Sequence, residues 1–130
     1  WVSDIIKDND PNDESYLPYM NGQLVFKNAV LRFQEVIKEG LDFNNLSNDD
    51  IDLLIPHQAN LRISQFIQKR LGLSDDKVYN NITRYGNTTA ASIPIALSEA
   101  LSKKKLRSND LLVLAAFGAG FTWGSAIIRW

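Results

Sequence analysis

The chain has 130 residues, a formal net charge of −1, a single histidine and no cysteine, and 45% of its residues are apolar. This length and composition suit one globular domain or half of a larger one, and the charge gives no overall positive field for nucleic acid. The lack of cysteine excludes a disulfide framework, a thiolate metal site and a cysteine nucleophile on this chain. One histidine also argues against a histidine-cluster metal site.

Neither a membrane span nor a secretory leader is indicated. No apolar run approaches the roughly 18 residues that a bilayer requires, and no signal-peptide pattern opens the chain. We therefore expect a cytoplasmic protein with no membrane or nucleic-acid partner. The pattern predicts a polar lead-in loop over residues 1–23 and a folded domain over residues 24–130.

The first half of that domain has a clear helix–strand–helix pattern. Apolar residues recur at helical spacing over residues 24–39, and Gly40 is placed to end this helix as its C′ residue. Residues 51–55 are continuously apolar, which is typical of a strand that is buried on both faces. A second amphipathic helix is predicted over residues 59–71.

A weaker strand and a third helix follow. Residues 78–82 have some strand character, and the helix is predicted to run from a Thr88 or Thr89 cap to about residue 104. The helix is apolar on most sides, which favours burial. Pro94 lies too far in for the first helical position and predicts a kink or a loosened first turn.

The chain ends with a hairpin pattern. Strands are predicted over residues 111–117 and 122–130, on either side of the glycine-rich turn at residues 118–120. The alternation of helices and strands predicts the α/β class, with a mixed sheet, helices packed on it and a closing antiparallel hairpin.

Two polar loops point to one functional site. The only histidine, His57, lies at the junction between the first strand and the second helix, and strand carboxyl ends are where ligands bind in α/β sheets. Asn87 lies in a second loop that also leads into a helix. We predict that they form a matched pair of hydrogen-bond donors. From the residue type alone, His57 also fits a structural junction residue bonded to backbone.

Three separated motifs carry a family resemblance. They are PHQAN at residues 56–60, GNTTAAS at 86–92 and FGAGFTWG at 117–124. Together they resemble β-ketoacyl-acyl-carrier-protein synthase III, a family of thiolase-fold condensing enzymes that initiate fatty-acid synthesis. Residues 16–27 are similar to the segment that precedes the family's histidine, so the resemblance covers residues 16–130. It implies the C-terminal half of a thiolase-like fold.

The resemblance implies catalytic roles for His57 and Asn87. They match the histidine and asparagine of the family's Cys-His-Asn triad, whose cysteine belongs to the N-terminal half that this sequence lacks. When malonyl-carrier protein loses CO₂, negative charge builds on the thioester oxygen. Two neutral N–H donors would form an oxyanion hole there, each worth about 2.7–4 kcal/mol. We therefore expect the chain to be inactive alone.

The glycine-rich turn resembles a second oxyanion site. Phe117, Gly118 and Ala119 match the family segment whose backbone N–H groups serve the acyl thioester. Glycine is common where this chain has Ala119, which is a mild departure because alanine tolerates fewer backbone conformations. The open alternatives are a plain hairpin turn and, for Phe117, simple core packing rather than exclusion of water.

Basic side chains on two helices resemble the family's carrier-protein docking patch. They are Lys27, Arg62, Lys69 and Arg70. Carrier proteins are acidic, so a local positive patch would steer their association, although exposed helix charges are most often just solvated.

The resemblance also predicts contacts for the phosphopantetheine arm of the substrates. Phe26 would line its channel, and Asn60 would hydrogen-bond its amides.

The implied reaction joins an acyl-CoA primer to malonyl-acyl-carrier protein, without a metal or a covalently bound cofactor. The intact protein is expected to be a homodimer. A family relative that transfers acyl groups or joins two acyl chains is a close variant. A non-catalytic module that binds acyl-carrier protein is the alternative from another class, which the lack of cysteine permits.

Overall fold

The computed structural model describes residues 20–130, so Tyr16 and the greater part of the predicted lead-in lie outside the described residues. The helices and strands follow in the order α1 (Gly22–Phe43), β1 (Leu53–Pro56), α2 (Leu61–Leu71), α3 (Ile82–Tyr85), α4 (Ser92–Ser102), β2 (Leu111–Gly118) and β3 (Thr122–Arg129). The predicted α/β class is confirmed. Within residues 20–130, no helix is both long enough and apolar enough to cross a membrane.

The sheet has three strands with β2 in the centre. β1 runs parallel to β2, with Leu53 opposite Leu112, and β3 runs antiparallel to β2, with Leu111 opposite Arg129. The mixed sheet and its closing hairpin are therefore as predicted. Because β1 and β2 are parallel, their carboxyl ends meet at the same edge of the sheet, and the segments that follow both strands begin there.

Helices pack on both faces of the sheet. On one face, α1 and α2 cover Leu54 and Val113 with a core that includes Phe33 and Ile37. On the other face, α4 packs on Leu53 and its neighbours through its small residues. All four residues of β1 are buried, which confirms the prediction of a strand covered on both sides.

The prediction that Gly40 ends the first helix is wrong. α1 continues to Phe43, and the Asn44 side chain donates a hydrogen bond to the Gly40 carbonyl oxygen at 2.8 Å. A Cβ atom at Gly40 would lie 3.0 Å from both Ile127 Cγ1 and Ser125 Oγ of β3. Glycine is present here because α1 approaches β3 closely, rather than because a turn requires it.

The weak strand predicted over residues 78–82 is not formed. Val78 makes a single parallel bridge to Leu54, after which the chain turns into α3. The strand cannot continue because the backbone N–H groups of Asn81 and Ile82 bond to the side chain of Gln58 instead of to a neighbouring strand.

The third predicted helix starts later than expected and is less buried. A 3₁₀ turn at Thr89–Ala91 precedes α4, and neither threonine caps it through its side chain. Pro94 lies in the first turn of α4, where a backbone N–H has no intrahelical partner, so the helix tolerates the proline there. Only Ser92, Ala96 and Ala100 of α4 are buried, so the predicted burial of most of its faces is wrong.

Candidate active site

His57 is held by the sheet itself. It directly follows β1, and its backbone N–H donates to the Ala115 carbonyl of β2 at 2.8 Å, which extends the strand pairing by one residue. The side chain is half-buried, and burial lowers its pKa from the ordinary value of 6.5. The lowered pKa favours the neutral imidazole, which is the state that an N–H donor to an oxyanion requires.

Among the described residues, Ser92 is the close partner of the His57 imidazole. His57 Nδ1 lies 2.5 Å from Ser92 Oγ, and the backbone N–H of Gln58 donates to the same hydroxyl at 3.2 Å. Ser92 is the first residue of α4 and is only 2% exposed. A role for Ser92 could not be predicted from the sequence, because a contact across 35 residues leaves no local signal.

Asn87 lies on the exposed loop between α3 and the turn before α4. Its Oδ1 accepts the backbone N–H of Thr89 at 2.9 Å, which sets the orientation of the amide. The Nδ2 amino group donates to no other residue within the described part of the chain. Among the described residues, the Nδ2 hydrogens of Asn87 are therefore available to a ligand, whereas its Oδ1 atom is hydrogen-bonded within its own loop.

The Gln58 side chain connects the His57 segment to the start of α3, the helix that precedes Asn87. Its Oε1 accepts the backbone N–H groups of Asn81 and Ile82 at 2.9 and 3.2 Å, and its Nε2 donates to Pro56 O at 2.7 Å. Its side chain also reaches the Tyr79 carbonyl at 3.4 Å. At 2% exposure Gln58 is buried with every hydrogen-bonding group used, and the sequence gave no sign of this role.

A carboxylate of α4 contacts the same short helix. Glu99 accepts a hydrogen bond from Asn81 Nδ2 at 3.0 Å, and it forms ion pairs with Arg84 and Lys103. Hydrogen bonds, first from Lys103 and then from Asn81, lower the pKa of Glu99. Gln58 and Glu99 therefore hold α3 from two sides before the chain reaches Asn87.

One cavity of about 980 Å³ brings the predicted catalytic and turn residues together. His57 and Asn87 line it, and so do Phe117, Gly118 and Ala119 of the hairpin turn. This convergence follows from the parallel pairing of β1 and β2, which delivers both strand ends to one edge. Much of the remaining lining is apolar, which is typical of cavities that bind small molecules.

The hairpin turn accommodates alanine without strain. Positive backbone φ angles occur at Gly120 (73°) and Phe121 (50°), and Ala119 is not among the positive-φ residues. The departure from glycine at Ala119 therefore carries no conformational penalty, since its backbone lies in a region open to any residue. Thr122 Oγ1 donates to the Ala119 carbonyl at 3.1 Å, which helps to close the turn.

Aromatic rings line the cavity beside the turn. Phe117 stacks on Trp123, its cross-strand partner, with ring centroids 6.4 Å apart, and it contacts Phe121 at 5.5 Å. The Arg32 guanidinium of α1 lies 4.7 Å from the centre of the Trp123 ring. Phe117 is 7% exposed and belongs to the core, while Trp123 is 43% exposed. No role was predicted from the sequence for Trp123, the more exposed of the two rings.

The two predicted pantetheine contacts are not among the residues that line this cavity. Phe26 is half-buried and meets Phe66 of α2 edge-to-face, with centroids 6.4 Å apart. Asn60 caps α2, because its Oδ1 accepts the backbone N–H of Arg62 at 2.9 Å. Both residues have structural roles, and their contact with a substrate stays a prediction.

The four predicted docking residues are exposed. Lys27 lies on α1, and Arg62, Lys69 and Arg70 lie on α2, two helices that pack on each other. None of the four forms an ion pair with another residue between 20 and 130, and the Arg70 guanidinium lies 5.3 Å from the centre of the Phe66 ring. α2 contains no acidic residue, so its outer surface is a positive patch.

A metal centre has no ligand set here: residues 20–130 hold no group of three or more His, Cys, Asp or Glu side chains that could bind an ion. The polar side chains that line the cavity include the imidazole of His57 and the amide of Asn87.

Comparison with known proteins gives a consistent result. Residues 41–130 match the family model described as 3-oxoacyl-[acyl-carrier-protein] synthase III C terminal. The chain is 51% identical over 112 residues to the β-ketoacyl-[acyl-carrier-protein] synthase III of Roseiflexus castenholzii, an alignment that covers 86% of the chain and 34% of the relative. The chain thus spans about a third of the length of such relatives.

Solved structures agree with this match. The synthase III of Thermus thermophilus superimposes with a TM-score of 0.84 at 46% identity, covering 86% of this chain and 35% of that protein. The synthase III of Aquifex aeolicus gives a TM-score of 0.86 at 42% identity, covering 91% and 38%. These likenesses confirm the predicted fold, the C-terminal half of a thiolase-like architecture.

Proposed function

The chain belongs to the 3-oxoacyl-[acyl-carrier-protein] synthase III family, and from this premise we propose that it supplies the decarboxylating half of a condensing enzyme. The complete enzyme joins an acyl-CoA primer to malonyl-acyl-carrier protein. The acyl group is first carried by a cysteine outside this sequence, since the chain has none. On its own the chain is then inactive.

The proposed role of the cavity is to stabilise an enolate. The bond between the malonyl carboxylate and its α-carbon breaks, CO₂ leaves, and the electron pair moves onto the thioester carbonyl oxygen. The imidazole N–H of His57 and the Nδ2 amino group of Asn87 donate to that oxygen. The new carbanion then attacks the acyl thioester and expels the cysteine thiolate. No proton is removed from carbon, so the step needs donors rather than a general base.

One observation carries this proposal. A half-buried imidazole with a lowered pKa and an amide whose oxygen is already occupied line the same cavity. Both groups are thereby presented as neutral hydrogen-bond donors, which is what a developing oxyanion requires. A simple binding surface has no need for this pair.

The backbone N–H groups of the hairpin turn are proposed to serve the second carbonyl, that of the acyl thioester. Phe117 and its aromatic neighbours limit water at this end of the cavity, which strengthens hydrogen bonds to a charged oxygen.

The positive surface of α1 and α2 is the proposed docking site for the carrier protein. Lys27, Arg62, Lys69 and Arg70 give this surface four cations with no acidic partner within the described residues. Asn60 and Phe26 at the adjoining helix ends are proposed to meet the phosphopantetheine arm as it leaves the carrier. No bound cofactor takes part, and the complete enzyme is proposed to be a homodimer.

A chimeric enzyme tests the reaction. Residues 20–130 replace the matching C-terminal part of the Roseiflexus castenholzii synthase, and condensation of acyl-CoA with malonyl-acyl-carrier protein is measured. We expect an active chimera, and a loss of about 10²–10³-fold in kcat for His57→Ala and for Asn87→Ala. A folded chimera without activity, or full activity in both variants, would reject the proposal.

The alternative is a carrier-binding module without chemistry, which the positive surface alone would favour. Titration of the chain with acyl-carrier protein separates the two functions. If His57 acts only on the thioester oxygen, His57→Ala leaves the carrier affinity within about twofold, a change of less than 0.5 kcal/mol. A large loss of affinity would favour the binding module.

A further inference from the structure

A buried hydroxyl next to the only histidine determines which ring nitrogen carries the proton. We propose that Ser92 is a positioning residue that donates its hydroxyl hydrogen to His57 Nδ1 and so keeps the imidazole proton on Nε2. The benefit to catalysis rests on the proposed function of His57 as an oxyanion donor. The tautomer itself does not depend on that function.

The hydrogen-bonding capacity of a serine limits what Ser92 can do. Its hydroxyl has one hydrogen to donate and two lone pairs that accept. The backbone N–H of Gln58 points at Ser92 Oγ and can only donate, so it occupies a lone pair. The hydroxyl hydrogen is therefore left to find an acceptor elsewhere.

That acceptor is His57 Nδ1. Ser92 is only 2% exposed, although it lines the cavity, and a buried donor without a partner is costly. Within the described residues, the only other atom that bonds to Ser92 Oγ besides Gln58 N is His57 Nδ1, at 2.5 Å. If Nδ1 carried the proton, two donors would converge on Oγ and the hydroxyl hydrogen would have no acceptor.

The consequence concerns the opposite side of the ring. With the Nδ1 lone pair occupied, a neutral imidazole bears its hydrogen on Nε2, and Nε2 has no protein partner within residues 20–130. Since His57 lines the cavity, Nε2–H is the donor offered to a ligand there. Ser92 also fixes the ring direction, because α4 holds the serine and the sheet holds the His57 backbone.

Nuclear magnetic resonance tests this inference directly on the 130-residue chain. Because the chain has one histidine, its ring nitrogens give a single unambiguous pattern in a long-range ¹H–¹⁵N correlation spectrum. At about pH 8, above the ordinary imidazole pKa, we expect Nε2 to be protonated and Nδ1 to have the signal of a hydrogen-bonded, unprotonated nitrogen. A proton on Nδ1 would overturn the proposal.

A second test replaces the serine. In Ser92→Ala the Nδ1 signal should move to that of a nitrogen without a hydrogen bond, and the second tautomer should become detectable. Ser98→Ala, an exposed serine on the same helix, should leave the wild-type pattern unchanged. Ring signals in Ser92→Ala that are identical to wild type would overturn the proposal. If Ser92→Ala does not fold, Ser92→Cys tests the same shift, since a thiol is similar in size and a much weaker donor.

The activity of the chimeric enzyme distinguishes a failure of this inference from a failure of the proposed function. Ser92→Ala should lower kcat by about 10- to 100-fold, the range seen when partners that orient metal-bound imidazoles are removed, with little change in KM. An unchanged kcat would show that the tautomer does not matter for the reaction. If the unsubstituted chimera is inactive, the proposed function fails, whereas the ring spectra still decide the role of Ser92.

Discussion

Gln58 Oε1 accepts the backbone N–H of Asn81 at 2.9 Å, although the two residues are 23 positions apart in the chain. This bond joins the end of β1 to the start of α3, the short helix that precedes Asn87. The contact between Ser92 and His57 joins the start of α4, which follows Asn87, to the end of the same strand. Buried polar contacts therefore hold the chain on both sides of Asn87 to the segment that carries His57.

The first prediction concerns Gln58. Gln58→Ala should lower the free energy of unfolding by about 2–4 kcal/mol, because it leaves buried backbone groups of Pro56, Asn81 and Ile82 without their partner. Urea unfolding followed by circular dichroism measures the change. Gln65→Ala, at an exposed position of α2, is the matched control and should stay within about 0.5 kcal/mol of wild type. Equal stability of the two variants would show that the hydrogen bonds of the Gln58 side chain do not stabilise the fold.

The features that the sequence predicts well are those set by local pattern. The closing hairpin, the burial of β1 and the end of α2 at Gly72 depend on residues close in the chain, and the positive φ of Gly72 (72°) is what glycine allows. His57 and Asn87 could be predicted as site residues because His57 directly follows β1 and because both residues belong to motifs that carry the family resemblance.

The errors and omissions concern contacts between distant segments. Gly40 was assigned to a helix end because nothing in the sequence shows that β3, more than 80 residues later, packs against it. The weak strand at residues 78–82 failed for the same reason, since its N–H groups bond to Gln58 instead of to a neighbouring strand. Ser92 and Gln58 have no periodicity or motif chemistry that indicates their partners.

The second prediction concerns pH. Burial lowers the pKa of His57 in the folded state, so between that value and the ordinary 6.5 the unfolded chain binds more protons than the folded chain. The stabilisation is therefore complete above pH 6.5 and is lost as the pH falls through the folded-state pKa. We expect the unfolding free energy of wild type to decrease between about pH 7 and pH 5 more than that of His57→Gln.

The choice of pH window makes this test specific. Asp50, Asp76 and Glu99 have lowered pKa values relative to 3.8, 3.8 and 4.5, so they stay ionised in folded and unfolded chains above about pH 5 and affect stability only in stronger acid. If the unfolding free energies of wild type and His57→Gln changed equally between pH 5 and 7, the imidazole would be as readily protonated in the folded state as in the unfolded one.

The third prediction concerns the contact between α1 and β3. Gly40→Ala gains about 0.5–1 kcal/mol in helix propensity, but the added Cβ lies 3.0 Å from Ile127 Cγ1 and Ser125 Oγ. Neither neighbour moves easily, because Ser125 Oγ donates to Val36 O at 2.8 Å and Ile127 packs against the core. We expect a net loss of about 1–2 kcal/mol in thermal or urea unfolding.

Gly22→Ala is the control for that substitution. Gly22 is also in α1, and nothing lies within 4 Å of a Cβ built there. The variant should therefore be as stable as wild type or slightly more stable, by up to about 1 kcal/mol. A stabilising Gly40→Ala would show that helix and strand separate readily at this point.

The last prediction concerns the α2 part of the positive surface that α1 and α2 form. The double charge reversal Arg62→Glu with Lys69→Glu should weaken binding of an acidic carrier protein by about tenfold or more at low salt, mainly through slower association, and the difference should shrink as salt is added. Both side chains are exposed and form no ion pair between residues 20 and 130, so the substitutions break no described salt bridge. Surface plasmon resonance at two ionic strengths measures both rates.

Net charge alone would also weaken binding of an acidic partner, so the control must change the total charge equally. Lys104→Glu with Lys105→Glu does so at exposed positions beyond the end of α4. Long-range attraction falls off within about 10 Å at 0.1 M salt, so a docking site on α2 makes the first pair far more damaging than the second. Equal losses in both variants would reject a docking site on α2, because only total charge would then matter, and unchanged binding in the first variant would reject it outright.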